Sequence, residues 1–317
     1  MESNKILFIQ NIFGYGVYFR NTKELAIFCP FCSHYKKKLF INIETDFWHC
    51  FVCNKSGKSL FVLLKEIKAN KSQIAQYINS YKAKGIYVSL VDKNKQEYIP
   101  KLPDEYVPLC SDTSIIGNRF LNYLITKRRI SKEQILRNKI GACFSGKYQD
   151  RIILPSFDAY GNLNFFTGRH IDDNNYLPYL NDTEAPKGYR SNIIINELNL
   201  DFTKPMVVVE GWFDLFKSTC NTALLLGSEI SYRSLLIQTL VKNNTPVILA
   251  LDPDVFITKT LPLMKLLMRY GLDVFNADIL PFKDLGSMTE KEGISRIENA
   301  EIVNEKFIFK HKLRSVA

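Results

Sequence analysis

The chain has 317 residues, enough for one or two domains and an additional small module. Its formal net charge of +10 indicates an anionic polymer or an acidic partner without identifying which. No uninterrupted apolar stretch approaches membrane-spanning length and the first twenty residues make a poor signal peptide, so we expect a cytoplasmic protein with no membrane partner.

Four of the seven cysteines form two C-x-x-C pairs near the start of the chain. Cys29 and Cys32 make the first pair and Cys50 and Cys53 the second, with seventeen residues between the pairs. Each pair can close a tight turn around a metal, and the alternating pattern of 38–48 predicts a hairpin that brings the turns together. Four thiolates favour Zn²⁺ in a closed, structural site.

Two alternatives to this zinc site are open. Disulfides are disfavoured because the expected compartment is reducing. His34 and His49 lie beside the cysteine pairs and could each replace a cysteine as a ligand. Because four well-spaced thiols are available, we predict that both histidines lie outside the coordination shell.

Basic and aromatic residues interleave around the predicted hairpin. Phosphate contacts combined with rings for base stacking suit a single strand of nucleic acid, and we assign Lys36, Lys37 and Trp48 to such contacts. The alternative is that the aromatic side chains form the ribbon's own small core. We favour that alternative for Phe31 and Phe51, which lie inside the cysteine pairs.

The segment that follows changes from helical to irregular. Ser59–Lys68 and Ser72–Lys82 have the apolar spacing of two short amphipathic helices. Residues 82–108 are rich in charge and proline and have little periodicity, which is typical of a linker.

A mixed α+β region is predicted next. Ile115–Lys127 has helical spacing, and Ser131 with Gln134 resembles a capping box that opens another helix. Arg151–Pro155 and Leu163–His170 are predicted strands joined by a turn.

Beyond residue 204, strands and helices alternate, which predicts a mostly parallel sheet. Pro205–Val209 and Pro246–Leu251 are apolar without alternation, as in strands buried on both faces. Glu210 follows the first strand, and Asp252 and Asp254 follow the second. Carboxylates gathered at the carboxyl ends of neighbouring strands need a divalent cation to neutralise them.

The acidic motifs carry a family resemblance. Glu210-Gly211-x-x-Asp214 followed by Asp252-x-Asp254 resembles the Toprim domain of bacterial-type primases, topoisomerases and some nucleases. The commoner motif has glycine where Pro253 stands, and proline should stiffen that turn.

The basic region resembles the subdomain that precedes this domain in phage and bacterial primases. The resemblance rests on the following segments: Tyr123–Ser131, Arg151–Pro155, Gly161, Gly168-Arg169 and Tyr179-Leu180-Asn181. Lys283-Asp284 resembles the final motif of primases from large tailed phages. The chain departs from these patterns at Pro178, where such primases usually have lysine, and at Ser287, where many have a second aspartate.

A zinc ribbon, a basic subdomain and a Toprim sheet in this order resemble a phage-type DNA primase. The resemblance implies synthesis of short RNA primers from ribonucleoside triphosphates on a single-stranded DNA template. It makes Asp252 and Asp254 the principal Mg²⁺ or Mn²⁺ ligands and Glu210 a further ligand or a base. Asp214 and Asp284 would be additional ligands or would support them.

Phosphates of the nucleotide or the template would be held by a basic set: Arg128, Arg151, Arg169, Lys187 and Lys283. No P-loop sequence occurs, so a separate replicative helicase is implied.

The implied fold class is α/β, a Toprim-type mostly parallel sheet with flanking helices, preceded by a mixed α+β basic subdomain and an N-terminal β zinc ribbon. The predicted domains are the ribbon at 1–81, a linker at 82–108, the basic subdomain of the RNA polymerase core at 109–203, and the Toprim domain with a C-terminal tail at 204–317.

Two other function classes share these motifs. A Toprim nuclease or topoisomerase would use the same carboxylates, but a topoisomerase needs a tyrosine nucleophile in a separate domain. A recombination mediator with zinc and Toprim modules would bind DNA without catalysis. The motifs around Arg151 and Arg169, between ribbon and sheet, favour the primase over the mediator.

Overall fold

The computed structural model describes residues 2–81, 98–112, 114–186, 188–219, 221–225 and 234–314. The chain divides into two compact units, Met1–Lys95 and Gln96–Ala317. Every helix in the described ranges is too short or too polar to cross a membrane.

The first unit is built on a five-stranded antiparallel sheet in the order β1-β2-β3-β4-β5. Its strands are β1 Val17–Phe19, β2 Glu24–Ile27, β3 Leu39–Asn42, β4 Trp48–Cys50 and β5 Ser56–Gly57. Its helices are α1 Glu2–Phe13, α2 Leu60–Glu66 and α3 Lys71–Tyr81. The predicted hairpin is confirmed, since β3 pairs with β4.

The alternating directions of side chains along the strands explain the core of this unit. Leu39 and Ile41 point to one face of β3 and are fully buried against Leu25 and Ile27 of β2. The predicted start of α2 is also confirmed, because the Ser59 side chain accepts a hydrogen bond from the backbone N–H of Phe61.

The second unit begins with another five-stranded antiparallel sheet, in the order β10-β9-β8-β7-β6. Its strands are β6 Tyr106–Pro108, β7 Gly141–Cys143, β8 Arg151–Phe157, β9 Leu163–His170 and β10 Tyr179–Asn181. Helix α4, Ile115–Asn122, continues into a π-helical turn, Tyr123–Lys127, and α5 spans Lys132–Arg137. The predicted capping box of Ser131 and Gln134 opens α5.

The predicted linker is only partly described. Residues 82–97 lie outside the described ranges, so a linker there stays a prediction. Its last residues, Tyr106–Pro108, are corrected by the structure, because they form β6 and pair with Gly141–Cys143. The pairing depends on a strand more than thirty residues away, which local composition does not reveal.

The third sheet is mostly parallel, as predicted, in the order β12-β11-β13-β14-β15. Its strands are β11 Met206–Val209, β12 Thr222–Leu224, β13 Val247–Ala250, β14 Val274–Asn276 and the antiparallel β15 Glu301–Ile302. The helices of this region are α6 Trp212–Leu215, α7 Leu235–Asn243, α8 Leu261–Arg269, α9 Glu290–Glu298 and α10 Glu305–Arg314.

Strand order creates a crevice in this sheet. The chain enters at β11, moves to β12 on one side, and returns to β13 on the other, so the direction of winding reverses between β11 and β13. Ligands of open parallel sheets bind at the carboxyl ends of strands at such a point. Val209 pairs with Ala250, which brings the acidic residues after both strands to this crevice.

Candidate functional site

The four predicted zinc ligands come together in the first unit. Their sulfur atoms, on Cys29, Cys32, Cys50 and Cys53, all lie within 4.8 Å of one another. The Cys29–Cys53 and Cys32–Cys50 sulfur distances are 3.8 and 3.9 Å. A tetrahedral site with zinc–sulfur bonds of about 2.3 Å has sulfur–sulfur edges of about 3.8 Å. All four thiols are free, and their spacing fits zinc rather than a disulfide, whose sulfurs lie about 2.05 Å apart.

Without a metal, the two buried cysteines favour the neutral thiol. Burial raises the pKa of the Cys29 and Cys50 thiols, because a thiolate is poorly solvated there. A cation between the four sulfurs reverses that cost. Neither histidine replaces a cysteine: His34 Nδ1 accepts from the Lys36 backbone N–H, and the ring of His49 lies against Phe51.

The assignment of Trp48 to DNA contact is wrong. Its side chain is only 2% exposed, stacks on Phe31, and donates its indole N–H to the backbone carbonyl of Ser59 at 3.1 Å. A ring that is buried with its polar group satisfied belongs to the core. Phe51 is buried as well, which confirms the interpretation favoured for it.

Other aromatic rings of the first unit are exposed beside the basic residues. Tyr15 and Tyr35 are 75% and 72% exposed, and Phe28 is 47% exposed. Lys37 Nζ lies 5.0 Å from the ring centre of Tyr15 and 5.2 Å from that of Phe28, while Lys36 Nζ lies 5.7 Å from that of Tyr35. We call these five residues the basic-aromatic patch. Tyr15 and Phe28 were missed because they lie outside the hairpin in sequence.

The acidic residues gather at the crevice of the parallel sheet. Burial, followed by the charges of Glu210, Asp284 and Asp254, raises the pKa of Asp252 to about 6. Lys259, which precedes α8, forms an ion pair with Glu210 Oε1. The second carboxylate oxygen of Glu210 is buried and has no hydrogen-bond partner.

Asp214 has a different role from the other carboxylates. It is 5% exposed, and its two oxygens accept hydrogen bonds from the backbone N–H groups of Gly211 and Gly286, each at 2.7 Å. Burial and the charge of Asp252 raise its pKa to about 7. A Cβ on Gly286 would lie 3.0 Å from the Asp214 carboxylate, so the two loops meet closely here. Asp214 therefore holds the loop of the Glu210 motif to the loop of the Asp284 motif.

Asp284 is positioned by its own loop. Its side chain accepts a hydrogen bond from the Ser287 backbone N–H at 2.7 Å, and the Ser287 hydroxyl donates to the Asp284 carbonyl. Ser287, the residue that departs from the phage pattern, thus fixes Asp284. Lys283 is exposed beside it.

These carboxylates fit a hard divalent cation. Oxygen donors are the ligands that Mg²⁺ and Mn²⁺ prefer, and the unpartnered oxygen of Glu210 has no other group to satisfy it. Among the described residues, only the four cysteines form a group of three or more possible metal ligands that lie close enough together to bind one ion. The carboxylates of the crevice lie farther apart than this. A cation shared by the carboxylates would need their oxygens closer together than they lie here.

Arg151 does not reach the site. It is 6% exposed, and its guanidinium donates to the backbone carbonyls of Gly168, Leu177 and Pro178 at 2.9–3.3 Å. Burial lowers its pKa. The structure therefore corrects its assignment to phosphate binding: its donors are used to join β8, β9 and the segment before β10. Lys187 lies outside the described residues.

Arg128 and Arg169 do lie together, around a carboxylate that the sequence did not single out. Arg128 Nη2, Arg169 Nη2 and Lys127 Nζ lie 2.7, 2.6 and 2.7 Å from oxygens of Asp173. Tyr123 Oη donates to Asp173 Oδ1 at 3.1 Å and accepts from Arg128 Nε at 2.8 Å. Against the opposing effect of burial, the hydrogen bonds from Lys127 and Arg169 hold the pKa of Asp173 well below its usual range. We call these five residues the basic cluster.

The basic cluster adjoins the acidic crevice. The Arg128 guanidinium lies 4.5 Å from the ring centre of Phe213, the residue before Asp214. That of Arg169 lies 4.8 Å from the ring centre of Tyr179. Positive and negative groups are therefore adjacent within one unit, an arrangement suited to a phosphate chain and its metal.

Comparison with known proteins agrees with this architecture. No protein-family model matches the chain. The DNA primase of Mycoplasma pneumoniae is 22% identical over 340 residues, which cover 87% of this chain and 54% of that protein. The chain therefore spans about half the length of this curated relative.

Solved structures extend the likeness to both units. The Aquifex aeolicus primase, comprising zinc-binding and RNA polymerase domains, has a TM-score of 0.52 at 15% identity, covering 99% of this chain and 89% of that one. A DnaG primase catalytic domain bound to single-stranded DNA has a TM-score of 0.52 at 20% identity, covering 63% of this chain and 77% of that one. The chain has the DnaG primase fold. Within this primase fold, the predicted zinc ribbon, α+β subdomain and mostly parallel sheet are confirmed.

Proposed function

We propose that this protein is a DNA primase that joins ribonucleotides into short RNA primers on a single-stranded DNA template. The observation that carries the proposal is the adjacency of the acidic crevice and the basic cluster in a chain with the primase fold. Attack of a 3′-hydroxyl on an α-phosphorus asks the protein mainly to position groups and neutralise charge. The names of the similar proteins give the mediator, nuclease and topoisomerase alternatives no support.

The acidic crevice is the proposed Toprim-type metal site. Asp252, Asp254 and Glu210 hold Mg²⁺ or Mn²⁺, which supplies charge neutralisation at the reacting phosphate and the leaving pyrophosphate. Asp284 completes or orients this set from the adjoining loop. Asp214 acts as a positioning residue, because its oxygens are engaged by two backbone N–H groups.

Arg128 and Arg169 are the proposed phosphate ligands. Guanidinium groups bind phosphate oxygens with two parallel hydrogen bonds, and both already face an oxyanion, the Asp173 carboxylate. Lys283, exposed beside Asp284, and Lys187 are proposed as further phosphate contacts. Arg151 is left out of this set because its donors are engaged by backbone carbonyls.

The basic-aromatic patch is the proposed template contact of the zinc ribbon. Lys36 and Lys37 attract phosphates, and the exposed rings of Tyr15, Phe28 and Tyr35 offer faces on which bases stack. A ribbon closed by four thiolates shapes this surface without activating water.

The remaining features of the proposal concern organisation and setting. We place the ribbon at 1–81, a linker at 82–97, the basic subdomain from 98 to 203 and the Toprim-type domain at 204–317. We further propose that the protein works with a separate replicative helicase, that it is encoded by a bacteriophage, and that it acts in the cytoplasm of the host cell.

The test is synthesis of labelled oligoribonucleotides from ribonucleoside triphosphates on single-stranded DNA with Mg²⁺. Asp252→Asn should lower product formation at least about 100-fold while the far-ultraviolet circular dichroism stays unchanged. Asp273→Asn is the matched control. This exposed aspartate precedes β14 and therefore lies at the amino ends of the parallel strands, whereas the crevice lies at their carboxyl ends. Absence of product from the wild-type protein on varied templates would reject the proposal.

A further inference from the structure

We propose that Asp173 is an internal competitor of the nucleotide: its carboxylate takes the place that a phosphate of the triphosphate takes on binding. This inference rests on the proposed function and adds a specific residue that weakens nucleotide binding. It also adds Lys127, which the sequence did not assign, to the phosphate ligands.

The contacts of Asp173 are those of a bound oxyanion. Three cationic side chains and one hydroxyl converge on its two oxygens at 2.6–3.1 Å. Charge-assisted hydrogen bonds of this length are typical of arginine and lysine on carboxylate or phosphate.

The charges of the basic cluster do not balance. Lys127, Arg128 and Arg169 contribute three positive charges, and Asp173 contributes one negative charge. A phosphate chain carries more negative charge and more acceptor oxygens than one carboxylate, so it satisfies the cluster better.

The cluster is open to a ligand. The side chain of Asp173 is 34% exposed and that of Lys127 is 54% exposed, whereas the side chain of Arg169 is only 11% exposed. Arg128 and Arg169 are also fixed by the rings of Phe213 and Tyr179. The guanidinium groups are therefore pre-positioned, and the carboxylate is the accessible part that can leave.

The loop that carries Asp173 does not depend on its side chain. Asp172 Oδ1 accepts from the Asn174 backbone N–H at 3.0 Å, and Asn175 Oδ1 accepts from that of Leu177 at 2.9 Å. Because these neighbours form the turns, the Asp173 carboxylate can move away from the cations while the loop keeps its course.

The experiment measures binding of tripolyphosphate to the full chain by calorimetry, without template or divalent metal. Asp173→Asn should tighten binding about 3- to 10-fold, because the competing charge is removed and the side-chain size is kept. Asp172→Asn, which keeps the oxygen that caps the turn, should bind like the wild type. Unchanged or weaker binding by Asp173→Asn would overturn the proposal, since a residue that merely orients the arginines would weaken binding when lost.

Two further variants test where the gained affinity for tripolyphosphate arises and provide for misfolding of Asp173→Asn. Lys127→Met in the Asp173→Asn background should remove most of the gained affinity, because Lys127 is one of the groups released. If the gain persists, tripolyphosphate binds elsewhere and the proposal fails. Asp173→Ser should reproduce the gain if Asp173→Asn does not fold.

The proposed function and the competitor role of Asp173 can be rejected independently of each other. If tripolyphosphate binding follows the expected order but no primer forms, the proposed function fails and the competitor stands. If primers form and Asp173→Asn leaves both tripolyphosphate affinity and the nucleotide KM unchanged, the proposed function stands and the competitor fails.

Discussion

Lys259 and Glu210 form an ion pair at the carboxyl end of β11. The ammonium group takes one oxygen of a carboxylate that we assign to the metal, and the other oxygen is buried without a partner. In the absence of a metal, Lys259 is thus the local counter-ion of the crevice, where it also lowers the pKa of Asp252 against the larger effect of burial.

Replacing Lys259 should therefore strengthen metal binding. We expect Lys259→Met to lower the Mn²⁺ dissociation constant about 3- to 10-fold, because one cation no longer competes with another for Glu210. Titration followed by electron paramagnetic resonance measures the constant directly. Lys291→Met, at an exposed position of α9, is the control and should match the wild type. Weaker metal binding in Lys259→Met would show that the lysine supports the site rather than occupying it.

The crevice should also make stability depend on pH when no divalent metal is present. The pKa of Asp214 is raised to about 7 and that of Asp252 to about 6, mainly by burial, whereas an unfolded aspartate has a pKa of about 3.9. Between roughly pH 4 and 7 the native state binds more protons than the unfolded state, so the free energy of unfolding falls as pH rises through this window.

Denaturant unfolding between about pH 5 and 8 at constant ionic strength measures this fall. Asp252→Asn should reduce it by about 1 kcal/mol, and Asp273→Asn should leave it unchanged. A wild-type stability that rises with pH over the same window would contradict the assignment.

Local patterns predicted the elements of this fold better than the partners of single side chains. Unbroken apolar runs identified β11 and β13, and two C-x-x-C pairs identified the metal site, because each signal lies within a few residues. Trp48 and Arg151 were misassigned because their partners are set by packing with other elements. Asp173 was missed because Lys127 and Arg128 approach it from forty-five or more residues away.

Arg151 is predicted to be a stabilising residue and not a ligand. Arg151→Met should lower the free energy of unfolding by about 1–3 kcal/mol, because backbone carbonyls at Gly168, Leu177 and Pro178 lose their donor. Chemical denaturation measures the loss. At a temperature where the variant is folded, its tripolyphosphate affinity should equal that of the wild type, and a tenfold weaker affinity would restore Arg151 to the phosphate ligands.

The exposed rings of the basic-aromatic patch should contribute to binding of single-stranded DNA. Tyr35→Ala and Tyr15→Ala are each expected to weaken binding at least about fivefold, the effect of losing one stacked base. Fluorescence anisotropy with a labelled oligonucleotide measures the affinity. Tyr160→Ala is the control, since this ring is 91% exposed but lies in the second unit, in the turn between β8 and β9. Equal affinities in all variants would remove the rings from the template contact.

The two units have separate hydrophobic cores. We therefore predict that loss of the zinc unfolds the first unit and leaves the second unit folded. The core around Leu39 and Ile41 contains Cys50, and the core around Ile152 and Val207 contains residues of the second unit alone. Cys50→Ser should lose zinc and unfold the first unit, because in a small module closed by a metal the binding free energy is folding free energy.

Cys50→Ser should consequently lose initiation at preferred template sites while Mn²⁺ and tripolyphosphate still bind, because Asp252, Arg128 and Arg169 all belong to the second unit. Zinc content, priming at defined sites and tripolyphosphate affinity are measured on the same preparation. Cys110→Ser is the control, since this exposed free cysteine belongs to the second unit and is not one of the four clustered thiols. A zinc-free variant that primes at the same sites with unchanged efficiency would show that the ribbon does not read the template. Loss of tripolyphosphate binding together with zinc would show that folding of the second unit depends on the first.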